Sequence, residues 1–145
     1  MPAQYPRELF AELSACLREG RLPPEPVRRW WLDSVKAHAN EFPLEQALGL
    51  TGAKAQRARD AALREAAEIL APGEKPRAQA RRLAQYLDYF ELTVLPRYRS
   101  NPARRLEGWK LALFRAFDSG RKVPRDVKHL AGILAEKCPS QPSKM

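Results

Sequence analysis

Residues 76–117 read PRAQARRLAQYLDYFELTVLPRYRSNPARRLEGWKLALFRAF, and they hold the most apolar helical pattern of the chain together with its densest group of arginines. Apolar side chains recur there at intervals of three and four, which predicts a helix with one buried face. These positions are Leu83, Leu87, Phe90 and Val94. Pro76 can open this helix, and Pro96 is expected to end it because proline has no backbone N–H to donate.

A second apolar stripe has the same spacing and predicts the next helix. Asn101 suits the N-cap of that helix, and Pro102 suits its first position. The apolar positions of the stripe are Leu106, Trp109, Leu113 and Phe117. Two helices joined by so short a connector are expected to pack face to face as a hairpin.

The connector between these helices is rich in arginine. Arg97 and Arg99 lie in it on either side of Tyr98, and Arg104 and Arg105 fall on the first turn of the next helix. Four guanidinium groups are therefore expected to converge on one end of the hairpin. The backbone N–H groups of a helix N-terminus would add their own attraction for phosphate there.

Charge is distributed unevenly along the chain, whose formal net charge is +9. Residues 1–72 carry 10 Lys/Arg and 10 Asp/Glu, whereas residues 73–145 carry 16 Lys/Arg and 7 Asp/Glu. A one-sided positive charge predicts an anionic partner, and nucleic acid is the commonest one. The alternative is that arginine only keeps the chain soluble, as a GC-rich genome would favour.

Length and pattern predict an all-α protein, a compact single-domain bundle of about six or seven helices joined by proline-rich turns. Residues 1–137 form the expected domain, with a charge-neutral part at 1–72 and a basic part at 73–137. Residues 138–145 are expected to be a disordered tail. No strand is expected, because apolar alternation is never sustained and β-branched residues are few.

Cysteine use and hydropathy argue against several classes of protein. Cys16 and Cys138 are the only cysteines, so the sequence has neither a disulfide framework nor a closely spaced pair of metal ligands. The first residues lack the apolar run of a signal peptide, and no segment has the roughly 18 consecutive apolar residues of a membrane span. We therefore expect a cytoplasmic protein without a cofactor, a metal or membrane contact.

Flanking glycines and prolines predict the bounds of the other helices. The first helix begins at Pro6 and stops at Gly20, the second has Pro26 as its first residue, and the last covers about 124–137. The side chains expected in the core include Trp31, Leu63, Leu87, Phe90, Trp109, Leu113 and Leu130.

Residues 44–59 read LEQALGLTGAKAQRAR. This pattern predicts a short helix with Leu44 and Leu48 facing inward, a turn at Gly49, and a longer helix over about 51–70. Such an order of elements is what a helix-turn-helix requires.

The same segment resembles the helix-turn-helix of small bacterial regulators in its spacing of Leu, Gly and Leu. The resemblance implies that Lys54 and Arg57, on the outer face of the second helix, contact DNA phosphates and bases. The segment departs from the family pattern at Glu45, Gly52 and Ala55. Ordinary packing within a helical bundle is the alternative interpretation.

Residues for catalysis are scarce. The only histidines are His38 and His129, and there is no G-x-S-x-G nucleophile motif, P-loop or G-x-G-x-x-G. Most carboxylates lie on exposed helix faces among arginines, where solvated charge or a pair at i and i+4 is expected. The sequence therefore favours a protein that is not an enzyme.

The leading hypothesis is an accessory or regulatory protein that binds nucleic acid, with DNA favoured over RNA, through phosphate contacts on a basic helical hairpin. The aromatic residues interleaved with the basic ones are Tyr86, Tyr89, Tyr98 and Trp109. The basic residues expected at the site are Arg97, Arg99, Arg104, Arg105, Lys110, Arg81, Arg121, Lys122, Arg125, Lys54 and Arg57.

A non-enzymatic adaptor is the second hypothesis. Its basic end would dock an acidic protein partner, or the chain would form a homodimer. Leu92 and Leu111 support it, because both fall on the outer faces of their predicted helices.

Overall fold

The computed structural model describes residues 5–101, 103 and 105–136, and it confirms the predicted all-α class. Within these residues there are α-helices, turns and one π-helical turn, and no strand. The predicted tail at 138–145 lies outside the described residues. In chain order the elements are α1 Pro6–Glu19, α2 Glu25–Ala39, α3 Leu44–Leu48, α4 Gly52–Leu70, α5 Pro76–Tyr89, the π-helical turn Phe90–Val94, α6 Leu95–Ser100, α7 Trp109–Asp118 and α8 Val127–Ala135.

Two compact units divide the chain. Unit 1 consists of residues 1–59 together with Phe117–Arg121, and unit 2 consists of Asp60–Ala116 together with the residues from Lys122 onward. The first boundary falls inside α4. The prediction of one domain over residues 1–137 stays a prediction.

In unit 1 the first helix has the bounds that the sequence predicted. α1 begins at Pro6, and Gly20 ends it in the left-handed conformation with φ 68°, where its N–H caps the last carbonyl groups. Cys16 is fully buried on this helix, whereas Phe10 and Leu17 are exposed. α2 begins at Glu25 with Pro26 in its first turn, one residue before the predicted start.

The prediction that Trp31 lies in the core is wrong. Trp31 is 37% exposed, and its neighbour Trp30 is 5% exposed. The indole Nε1 of Trp30 donates a hydrogen bond of 3.0 Å to the carbonyl of Leu48 in α3. Val27, Trp30 and Ser34 therefore form the buried face of α2, because this register gives the indole N–H a partner inside the protein.

α3 and α4 follow each other with the predicted turn between them. Gly49 is left-handed, with φ 85°, and a Cβ added to it would lie 2.8 Å from Cγ of Pro6, so only glycine fits without a shift. α4 begins at Gly52, one residue after the predicted start. Leu48 is buried as expected, but Leu44 is exposed and the prediction for it is wrong.

In unit 2 the long helix of the 76–117 stretch does not stop at Pro96. The π-helical turn Phe90–Val94 joins α5 to α6, and the N–H of Leu95 bonds the carbonyl of Phe90 five residues earlier. This wider turn leaves Pro96 in the first turn of α6, where no N–H is required of it. A rule based on α-helical geometry alone therefore ended the helix too early.

The core of unit 2 confirms most of the predicted buried residues. Trp109 is the exception, since it is only partly buried. Ala62 and Ala66 are fully buried on α4, which allows neighbouring elements to approach closely. The confirmed core residues are Leu63, Leu87, Phe90, Leu113 and Leu130.

The helices after α6 start later than predicted. Asn101 ends α6 instead of capping the next helix, Leu106 is not helical, and α7 begins at Trp109; Pro102 lies outside the described residues. α8 begins at Val127 and not at 124, because the side chain of Asp126 accepts a hydrogen bond from the N–H of His129 and so caps it.

Candidate nucleic-acid interface

Arg97 and Arg99 lie on α6, and the prediction that a loop holds them is wrong. Both side chains are exposed. Residues two apart on an α-helix point about 200° apart, so these guanidinium groups lie on either side of Tyr98. The Tyr98 ring packs edge-on against Phe114, with ring centroids 4.9 Å apart. The two arginines therefore flank a packed tyrosine and do not converge.

The second half of the predicted arginine cluster is not on a helix. Arg105 is exposed in the segment that leads to α7, and Arg104 lies outside the described residues. Since α7 begins at Trp109, the prediction that a helix N-terminus adds its N–H groups beside Arg105 is wrong. α7 instead begins beside α5, because the Trp109 ring lies 4.9 Å from the ring of Tyr86.

This contact builds a surface that we call the basic–aromatic patch, formed by Arg82, Tyr86, Tyr89, Trp109 and Lys110. Intervals of four and three place the first three residues on one face of α5. The rings of Tyr89 and Trp109 lie 6.4 Å apart, and Nζ of Lys110 lies 5.7 Å from the centroid of the Trp109 ring. Arg82 was not among the predicted site residues, although its helical spacing from the two tyrosines was a signal for it.

Arg125 and Arg121 are already engaged. Arg125 donates a hydrogen bond of 2.6 Å to Oδ1 of Asp88 and also forms an ion pair with Glu91. Two carboxylates, one at the end of α5 and one in the π-helical turn, therefore offset its charge. Arg121, in unit 1, donates to Gln56 Oε1 at 3.3 Å. Lys122 is exposed. Arg125 and Arg121, which already have partners, are therefore weaker candidates for phosphate contacts than Arg81, which is exposed on α5.

Most acidic side chains of unit 2 are used internally. Glu65 pairs with Arg115 and Glu136 with Arg64. Glu68 accepts hydrogen bonds from Gln79 and from a backbone N–H. Asp88, Glu91, Asp60 and Asp126 have partners too. Among the described residues of this unit, the acidic side chains without a hydrogen bond or ion pair are Glu74 and Glu107.

The basic side chains of unit 2 show the opposite pattern. Nine of them make no hydrogen bond or ion pair with the part of the chain that the structure describes. We call them the uncommitted cations. They are Lys75, Arg77, Arg81, Arg82, Arg97, Arg99, Arg105, Lys110 and Lys128.

Unit 1 holds the two cations of the segment that resembles a helix-turn-helix. Nζ of Lys54 donates a hydrogen bond of 2.9 Å to the carbonyl of Ala47 near the end of α3. This carbonyl accepts no hydrogen bond within so short a helix, and Lys54 satisfies it. Arg57 is exposed and, like Arg28 and Lys36, makes no hydrogen bond or ion pair with the described residues. The acidic side chains of unit 1 in the same condition are Glu12, Asp33, Glu41 and Glu45.

Groups for metal or acid–base chemistry do not cluster in the described ranges. No three His, Cys, Asp or Glu side chains among those residues come together as metal ligands would. The Nδ1 of His38 lies 2.8 Å from the carbonyl of Phe42, just beyond the end of α2. No described helix is both long enough and apolar enough to cross a membrane.

Comparisons with protein-family models, with curated proteins and with solved structures found no match to this chain.

Proposed function

We propose that this protein binds nucleic acid, DNA in preference to RNA, as a non-enzymatic accessory or regulatory protein whose phosphate contacts come from the uncommitted cations of unit 2. The observation that supports this most strongly is the imbalance in unit 2, where nine described cations but only two described carboxylates lack a hydrogen bond or ion pair. The preference for DNA rests on the helix, turn and helix order of residues 44–70.

Internal pairing changes what a partner would meet at the surface. A carboxylate that pairs with one arginine, as Glu136 pairs with Arg64, contributes less repulsion toward an approaching phosphate because the arginine offsets its charge. An exposed arginine without a partner, such as Arg97 or Arg99, keeps its full attraction. The cations that a phosphate would meet without a competing ion pair therefore include Arg97 and Arg99.

A charge-matched pair of variants tests the proposal. Arg97→Gln with Arg99→Gln removes two positive charges from unit 2, and Arg28→Gln with Lys36→Gln removes two from unit 1. Binding to a labelled duplex is measured across a salt titration. The slope of log affinity against log salt is negative, and each lost phosphate contact makes it shallower by about 0.9. The slope of the unit 2 variant should therefore become shallower by up to about 1.8, while the unit 1 variant keeps its slope.

Equal slopes for wild type and both variants would contradict phosphate contacts at Arg97 and Arg99. One observation favours an acidic protein partner in that case. Leu92, on the π-helical turn three positions after Tyr89, is 77% exposed. Apolar side chains form the buried centre of protein–protein interfaces.

A further inference from the structure

Two neighbouring rings of the basic–aromatic patch are those of Tyr89 and Trp109, whose centroids lie 6.4 Å apart. Tyr89 is 50% exposed, and Trp109 is only partly buried. The indole N–H of Trp109 makes no hydrogen bond with the described residues. Both rings therefore keep surface and hydrogen-bonding capacity that the core of unit 2 does not use.

Two cations belong to the patch with these rings. Arg82 lies one turn before Tyr86 on the same face of α5, and its side chain is exposed. Lys110 lies over the Trp109 ring, with Nζ 5.7 Å from the centroid. The exposed face of the Tyr89 ring, with the Trp109 ring tilted at 46° beside it, suits a planar base whose sugar is attached to phosphates on both sides.

We infer that the basic–aromatic patch stacks an unpaired base of single-stranded nucleic acid, an inference that rests on the proposed function. The base packs on Tyr89, Trp109 forms the wall beside it, and Arg82 and Lys110 contact the flanking phosphates. A duplex does not offer this contact, because each base in it is already covered on both faces by its neighbours. The patch therefore selects for single strands, while other uncommitted cations, such as Arg97 and Arg99, bind phosphates of either form.

Replacing the exposed ring tests the inference. Tyr89→Leu keeps an apolar, helix-compatible side chain but removes the aromatic face, and Trp31→Leu removes a comparably exposed ring from unit 1. The probes are a labelled oligo-dT of about 15 nucleotides and a duplex of equal length. One stacked base is worth roughly 5- to 100-fold in affinity, so Tyr89→Leu should lose that factor for oligo-dT alone, with its salt slope kept.

The outcomes separate this inference from the proposed function. If Tyr89→Leu binds oligo-dT as tightly as wild type, while Arg97→Gln with Arg99→Gln flattens the salt slope, stacking is overturned and phosphate binding stands. If wild type binds neither probe, both fail. Equal loss for Tyr89→Leu and Trp31→Leu would also overturn a specific role for the patch.

Photo-crosslinking gives a readout that needs no variant. An oligonucleotide with 5-iodouracil at several positions is irradiated with wild-type protein, and the adducts are mapped after trypsin digestion. The expected adducts fall in the peptides 83–97, which contains Tyr86 and Tyr89, and 106–110, which contains Trp109. Adducts confined to other peptides would overturn the inference.

Discussion

The two units of this protein use their charged side chains differently. Among the described residues, unit 1 has three cations and four carboxylates without a hydrogen bond or ion pair, whereas unit 2 has nine and two. The surface of unit 1 is therefore close to balanced. In unit 2 internal contacts occupy most of the described carboxylates and leave nine described cations without a hydrogen bond or ion pair, so cations outnumber carboxylates among the side chains that an anionic partner could engage.

The tryptophans differ between the units in the same way. Trp30 of unit 1 is buried, and its indole N–H is bonded to the carbonyl of Leu48. Trp109 of unit 2 lies at the surface beside Tyr86 and Lys110. Both tryptophans contact a second helix, but only the indole N–H of Trp30 has a hydrogen-bond partner among the described residues.

Stability should show the largest difference between a packed and an exposed ring. Phe90→Ala removes a fully buried side chain of unit 2 and should lower the free energy of unfolding by about 3 to 5 kcal/mol. Phe10→Ala removes a ring of unit 1 that is 45% exposed, and we expect less than about half of that cost. Urea unfolding measures both, and equal losses would contradict the burial pattern.

The adjacent tryptophans of α2 give a smaller and sharper effect. Trp30→Phe leaves the buried carbonyl of Leu48 without its donor, which should cost about 1 to 3 kcal/mol. Trp31→Phe breaks no hydrogen bond and should change stability by less than about 0.5 kcal/mol. Thermal and urea unfolding in which the two variants lose equal stability would show that the indole N–H of Trp30 contributes nothing.

Local patterns predicted much of the fold. The start of α1 at Pro6, its end at Gly20 and the turn at Gly49 all follow from backbone preferences that act within a few residues. Spacings of three and four were also enough to identify Leu87 and Phe90 as core residues.

The wrong predictions concern residues whose position depends on a partner distant in sequence or on an uncommon backbone conformation. Trp30 is buried in preference to Trp31 because an acceptor in α3 is available, and periodicity within α2 carries no information about that carbonyl. Pro96 follows a π-helical turn, which the α-helical rule for proline does not include. Because the helix continues past Pro96, Arg97 and Arg99 lie on opposite sides of α6 and not in the predicted loop.

For the candidate site, the sequence predicted only which part of the chain is rich in basic residues. Sequence identified the basic second half, but the engagement of Arg125 depends on Asp88, which is 37 positions away. The approach of Trp109 to Tyr86 depends on where the connector takes the chain, and no local pattern predicts it. The basic–aromatic patch could therefore be recognised only from the folded chain.

Releasing an internal arginine should sharpen the contrast between the units. Asp88→Asn with Glu91→Gln removes two carboxylate partners of Arg125 in unit 2, and Asp33→Asn with Glu41→Gln makes the same charge change in unit 1. One added phosphate contact on a single strand raises the salt slope by about 0.7, which is roughly fivefold in affinity at 0.1 M salt, or about 1 kcal/mol. Oligo-dT titrations that strengthen equally for both variants would mean that only net charge matters.

The smallest expected effect concerns Lys54 and Arg57 of α4. Lys54→Ala removes a cation from the open carbonyl of Ala47 and should lower stability by roughly 0.3 to 1 kcal/mol, whereas Arg57→Ala should leave the urea midpoint unchanged. Since unit 2 supplies the proposed phosphate contacts, neither change should alter the salt slope. Base recognition by α4, which the preference for DNA implies, would appear as a fall of about 1 to 3 kcal/mol in binding to one selected DNA sequence, with nonspecific binding retained. The contrast between the units would then be one of role, with unit 1 reading sequence and unit 2 holding the backbone.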